Sequence, residues 1–132
     1  MASQPEKKIE NDILVFLRTI GVYCWKNQSV GIYDPVKKIY RKSNNVFHIK
    51  GVADIIGIIQ GRFLAIEVKT PAGSLTPEQR IFLAKINEEG GIGFVARSVE
   101  QAAENLLKFF PKNENLKRFC KDYVANGSHA DH

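Results

Sequence analysis

Cysteine is scarce in this chain: Cys24 and Cys120 are the only two, far apart and each beside apolar or aromatic residues. That argues against a disulfide framework or a cysteine-built zinc site and for reduced, partly buried thiols of a cytosolic protein. Proline (5) and glycine (10) are too few for a disordered chain, and 44% hydrophobic residues in a length of 132 suit one globular domain. No apolar run approaches the roughly 18 residues needed to cross a bilayer, and Met1 to Lys8 is polar and charged. The expectation is a soluble, intracellular protein with no membrane partner. Acidic residues are also in deficit, 14 against 19 lysines and arginines, giving a formal charge of +5. With a sequence pI near 9.3, this favours an anionic partner such as nucleic acid, although charge speaks to association and not to fold.

What is present organises into alternating elements. Ile9, Ile13, Phe16, Leu17 and Ile20 recur at helical spacing between about Pro5 and Ile20, with Gly21 as a stop. Stepping about 100° per residue sets Glu10 between Leu17 and Leu14, on the core side of that helix. Val22 to Trp25 reads as a strand. Residues 26–50 carry Lys26, Lys37, Lys38, Arg41, Lys42 and Lys50 among Tyr33, Tyr40 and Phe47, which suits an extended basic loop or hairpin contacting phosphates. The apolar runs Val52 to Ile59 and Phe63 to Val68, joined by Gln60-Gly61-Arg62, predict a central antiparallel hairpin. Thr76-Pro77-Glu78-Gln79 combines an N-cap threonine, an N1 proline and a capping-box glutamine, so a helix starts there and runs to Gly90-Gly91. Ile92 to Ala96 is a further strand, Ser98 caps another helix ending near Phe110-Pro111, and Leu116, Phe119, Cys120 and Tyr123 mark a last one. The domain is read as residues 1–124, with 125–132 as a tail.

Three charges interrupt the central hairpin: Asp54, Glu67 and Lys69. Burying a carboxylate without a partner costs several kcal/mol, so such acids face a counter-ion, a metal or a substrate. Period-two alternation puts Glu67 and Lys69 on one face, and the hairpin brings Asp54 alongside. Two carboxylates offer hard oxygen ligands to Mg²⁺, the Val68 carbonyl could add a third, and a neighbouring lysine can orient an attacking water. This pattern describes phosphodiester hydrolysis.

Gly51-Val52-Ala53-Asp54, Ile66-Glu67-Val68-Lys69 and Leu75-Thr76-Pro77-Glu78-Gln79, followed by Gly90-Gly91, resemble the successive motifs of the VRR-NUC (virus-type replication-repair nuclease) family of the PD-(D/E)XK nuclease superfamily. The resemblance spans roughly Glu10 to Leu106, with Ala53 standing where the superfamily's name has proline. It implies an α/β, restriction-endonuclease-like core in αβββαβ order, a central mixed sheet flanked by helices. It further implies Mg²⁺- or Mn²⁺-dependent cleavage of DNA by Asp54, Glu67 and Lys69 in the cytoplasm of a bacterium or virus-infected host. Glu10 matches the acid such nucleases carry on their first helix, and Gln79 the glutamine opening the helix after the catalytic strand. The metal set is then Asp54, Glu67, Val68 and Glu10. Stand-alone members resemble Holliday junction resolvases in forming homodimers, which implies a homodimer acting on branched DNA.

The plainer readings are an exposed cross-strand salt bridge for the Asp-Glu-Lys set, an edge position for Glu10 and a purely capping role for Gln79. His48, His129 and His132 are set aside as surface groups. A metal-dependent DNA endonuclease is the first reading; a non-catalytic nucleic-acid-binding module of the same fold is the second, and a small basic scaffold the third.

Overall fold

The computed structural model describes residues 4–28, 32–41 and 46–126. Helix α1 (Gln4–Thr19) buries Ile13, Phe16 and Leu17 completely. It ends in a left-handed turn at Gly21 (φ +94°), where the amides of Gly21 and Val22 close onto Arg18 and Leu17. The guanidinium of Arg18 then donates to the Cys24 carbonyl at 3.0 and 3.2 Å, tying the helix to the strand that follows.

That strand, β1 (Tyr23–Lys26), is the edge of a four-stranded sheet in the order β1-β4-β5-β6. A separate two-stranded hairpin, β2 (Ile32–Asp34) and β3 (Ile39–Arg41), intervenes in sequence and realises the hairpin alternative for this basic stretch. β4 (Ile55–Ile59) and β5 (Arg62–Val68) are antiparallel and central, as expected. Their tight connection places Gln60 (φ +49°) and Gly61 (φ +78°) both at positive φ, the geometry of a twist-matched two-residue turn.

β6 (Ile92–Ala96) runs parallel to β5, which demands a crossover, and α2 (Pro77–Glu88) supplies it. Gly93 permits close seating of α2: a Cβ there would lie 3.0 Å from the Leu83 carbonyl oxygen. The Asn87 side chain fixes the arrangement by both donating to and accepting from the Gly93 backbone, at 3.0 and 2.8 Å. α3 (Val99–Lys108), capped by Ser98, and α4 (Glu114–Asn126) complete the order.

Strand alternation divides the core in two. Ile55, Ile59, Leu64, Ile66 and Val68 face α1, α3 and α4, where Phe16 and Tyr123 pack ring to ring at 5.1 Å. Ala53, Ile56, Ala65 and Leu83 form a smaller cluster beneath α2. Complete burial of side chains such as Leu64, Ile66 and Leu106 stabilises the fold by about 1.5–3 kcal/mol each. Cys24 and Cys120 are buried free thiols, and burial raises both pKa values, that of Cys120 to about 11. Among the described residues no helix is long and apolar enough to cross a membrane. Helix α4 extends to Asn126, and residues 127–132 of the expected tail lie outside the described residues.

Candidate active site at the end of the central hairpin

The register of β4 on β5 builds the site. Ile55 opposes Ile66, so one further step sets Asp54 opposite Glu67. Directly opposed residues share a face, with Cβ atoms about 4.5–5.5 Å apart. Ile56 and Ala65, the next opposed pair, lie in the cluster beneath α2, which assigns the two acids to the α2 side of the sheet.

Backbone contacts hold Asp54 from both flanks. Its Oδ2 accepts the Val68 N–H at 2.9 Å, and its carbonyl accepts the Asn27 N–H at 2.7 Å. Val68 thus enters the site through its amide. Glu67 is 2% exposed; its Oε1 accepts the Gln79 side-chain N–H at 2.9 Å, while its Oε2 is buried without a hydrogen-bond partner. Burial, then the charge of the adjacent Asp54 carboxylate and a hydrogen bond shared with it, push the Glu67 pKa up to about 9 against the opposing pull of Lys69. The Lys69 ammonium stands 3.9 Å from Glu67 Oε1, at the far end of ion-pair range.

Gln79 both caps α2 and reaches Glu67. Its side-chain Oε1 accepts the Thr76 backbone N–H at 2.9 Å, and its own backbone N–H donates to Thr76 Oγ1 at 3.1 Å, completing the capping box. Its side-chain NH₂ meanwhile holds Glu67. An amide can do this because its oxygen and nitrogen serve different partners. Gly51 keeps α2 in place for that contact: at φ +76°, its missing Cβ would fall 2.5 Å from the Glu78 carbonyl carbon and 2.7 Å from the Gln79 nitrogen. The loop after Lys69 is pinned by Arg97, whose guanidinium donates to the carbonyls of Thr70 (2.6 Å) and Gly73 (2.5 Å).

Glu10 reaches the same end of the sheet from α1. It is 1% exposed, and the Lys26 ammonium lies 3.0 Å from its Oε1 as an ion pair. Burial raises its pKa, Lys26 lowers it, and Asp54 raises it further, so the three acids form one electrostatic neighbourhood. Lys26, expected among the phosphate-contacting lysines, is therefore engaged by Glu10. Lys37 and Lys38 are exposed in the β2–β3 turn, Lys50 is exposed just ahead of Gly51, Arg41 ends β3, and Lys42 lies outside the described residues. His48 is exposed, while His129 and His132 are outside the described residues.

Among the described residues no three His, Cys, Asp or Glu side chains form a ready-made metal cage. The donor set nevertheless fits a hard cation. It is all oxygen, it includes the orphaned Oε2 of Glu67, and Mg²⁺ is held by one or two carboxylates together with water and phosphate.

Residues 37–100 match the VRR-NUC domain. The chain is also 32% identical to "Holliday junction resolvase RecU" of Mycoplasmopsis pulmonis (strain UAB CTIP), across 70% of this chain and 69% of that protein. The chain belongs to the VRR-NUC family. The four-stranded mixed sheet with flanking helices is that family's restriction-endonuclease-like core, and the matched span contains Asp54, Glu67, Lys69 and Gln79 of this VRR-NUC chain. Two features of the site were outside the sequence reading. The pairing of Lys26 with Glu10 joins residues from different elements, and the seating of Gly51 on α2 is a tertiary approach whose only sequence trace is the glycine itself.

Proposed function

We propose that this VRR-NUC chain is a metal-dependent DNA endonuclease that cuts branched DNA. The observation that carries this reading is the opposed pair of Asp54 and Glu67, with one buried Glu67 oxygen left unshared beside a lysine. Asp54 and Glu67 would hold Mg²⁺ or Mn²⁺, with the Val68 carbonyl as a further oxygen and Glu10, paired with Lys26 on the α1 side, supporting the site from nearby. The ion supplies a lowered pKa for bound water and positive charge against the phosphate.

The remaining work falls to the chain's own residues. The Val68 amide fixes the Asp54 carboxylate and Gln79 fixes Glu67, so neither acid must reorganise as charge develops. Lys69 orients the attacking water and adds positive charge next to the scissile phosphate. Water oxygen bonds to phosphorus and releases a proton to solvent as the bond from phosphorus to the leaving sugar oxygen breaks, and that oxygen takes up a proton from solvent. Lys37, Lys38, Arg41, Lys42 and Lys50 contact the DNA backbone, a sequence-independent and salt-sensitive contribution.

The name of the relative supports a four-way junction as substrate. Resolving one requires two cuts, and each chain carries one Asp54-Glu67 pair, so a homodimer is the matching assembly. The test is a cleavage panel of four-way junction, flap and linear duplex in EDTA, Mg²⁺ and Mn²⁺, read with the solution mass. Junction nicking confined to the two metals and lost in Asp54→Asn is expected. Tight DNA binding with no cutting under either metal would instead establish the non-catalytic module.

A further inference from the structure

On the α2 side of the sheet the residues stand in rows. Asp54 and Glu67 form the first, with Asn27 next to Asp54. Trp25, Ile56 and Ala65 form the second, and Tyr23, Ile58 and Phe63 the third. Beneath α2 the second row is buried at Ile56 and Ala65. Among the described residues the cover stops on the β1 edge: Tyr23 is 74% exposed and Trp25 40%, and Ile58 and Phe63 are also exposed. The Tyr23 and Trp25 rings meet edge to face at 5.6 Å between centroids, with an interplanar angle of 62°.

We infer that Tyr23 and Trp25 are a stacking platform for unpaired DNA bases, placed to receive a nucleotide next to the phosphate that a divalent ion at Asp54 and Glu67 would engage. Trp25 opposes Ile56, so Asp54 is its diagonal neighbour across the β1–β4 ladder, a spacing of about 7–8 Å. Water-exposed aromatic faces are poor value to a monomer, whereas every base has a π-face that stacks on them. The chain's excess of five positive charges suits the polyanion that would carry those bases.

A second copy of the chain is the competing occupant. Two rings set edge to face beside a charged site match the flat faces of bases, which a chain of net charge +5 would meet on a polyanion. The platform rests on the nuclease reading and gives it content: branched substrates with unstacked bases at the cut would be preferred over continuous duplex.

Trp25 is the only tryptophan, so its fluorescence reports on the platform without labelling. The full chain is titrated in EDTA with a thymine oligonucleotide and with continuous duplex, and binding is followed in parallel by anisotropy of end-labelled DNA. Saturable quenching by the single strand, with Trp25→Leu and Tyr23→Leu each weakening its affinity about fivefold or more and duplex affinity little, is expected. Single-strand binding by anisotropy with unchanged tryptophan emission would overturn the platform, as would an emission shift that follows protein concentration and solution mass without DNA, which assigns the face to a second copy. Metal-dependent cleavage is measured on the same preparations, with folding checked by circular dichroism. Cleavage without quenching rejects the platform alone, while quenching without cleavage rejects the nuclease reading.

Discussion

Glu67 makes the protein's stability fall as pH rises. Its folded-state pKa is raised from 4.5 to about 9, so between those values the folded chain holds a proton that the unfolded chain releases. Stability declines wherever the folded state binds more protons, so the penalty starts near pH 4.5, grows with pH and is complete above about 9. At about 1.4 kcal/mol per pH unit, moving from pH 6 to pH 8 removes up to about 3 kcal/mol. Sharing of the proton with Asp54 and entry of water make that an upper bound. In a domain of this size the loss corresponds to a fall in Tm of up to roughly 10 °C.

The assay is thermal unfolding in EDTA across pH 6–8, on wild type and on Glu67→Gln. The variant still offers an oxygen to Gln79 but has no charge to bury, so its Tm should be nearly flat over the window and exceed wild type at pH 8. Mg²⁺ should raise the wild-type Tm more at pH 8 than at pH 6, because a divalent ion competes with the proton for the same carboxylate. A wild-type Tm that does not change between pH 6 and 8, or a Glu67→Gln profile of equal slope, would refute the placement of Glu67 as an uncompensated buried acid.

The other contacts make separable demands. Asp54→Asn should abolish metal-dependent cutting with under about 1 kcal/mol lost in denaturant unfolding, since its amide oxygen can still accept the Val68 N–H, whereas Asp54→Ala should lose about 1–3 kcal/mol more by orphaning that amide. Gln79→Glu should keep the α2 cap yet set a third carboxylate against Glu67, lowering cleavage and steepening the pH dependence of Tm; Gln79→Ala should cost about 1–2 kcal/mol of stability through the lost cap and its Glu67 bond. Gly51→Ala should destabilise by at least about 1–3 kcal/mol, with positive φ and a backbone collision acting together, and reduced cleavage should accompany the displaced Gln79.

Elements whose signals are local were legible in the sequence. The Thr76-Pro77-Glu78-Gln79 start of α2, the Ser98 cap and the Ile92 to Ala96 strand all carry short-range chemistry that tertiary packing only had to accept. Asp54 and Glu67 were also within reach, because a two-residue turn fixes hairpin register and register fixes which side chains face one another. Glu10 could be placed on the core side by helical angle, but its partner could not, because Lys26 sits beyond Gly21 on another element and was grouped with the basic stretch it adjoins. The aromatic edge of β1 was hidden for a similar reason. Val22 to Trp25 reads as a strand with apolar residues on both faces, and only the limited reach of α2 across the sheet reveals which face stays open.

A structural salt bridge would arrange these groups differently. It would bring Lys69 into close contact with both carboxylates and leave no buried oxygen unshared, because an unpaired buried charge costs more than the pair returns. Here Lys69 stands 3.9 Å from Glu67 Oε1, Oε2 has no hydrogen-bond partner, and Asp54 raises rather than relieves the Glu67 pKa. Val68, Gln79, Gly51 and Arg97 meanwhile hold the surrounding backbone and side chains in place. The divalent ion proposed above would neutralise this pair of acids at the end of the central hairpin, an arrangement that packing stability alone gives no reason to keep.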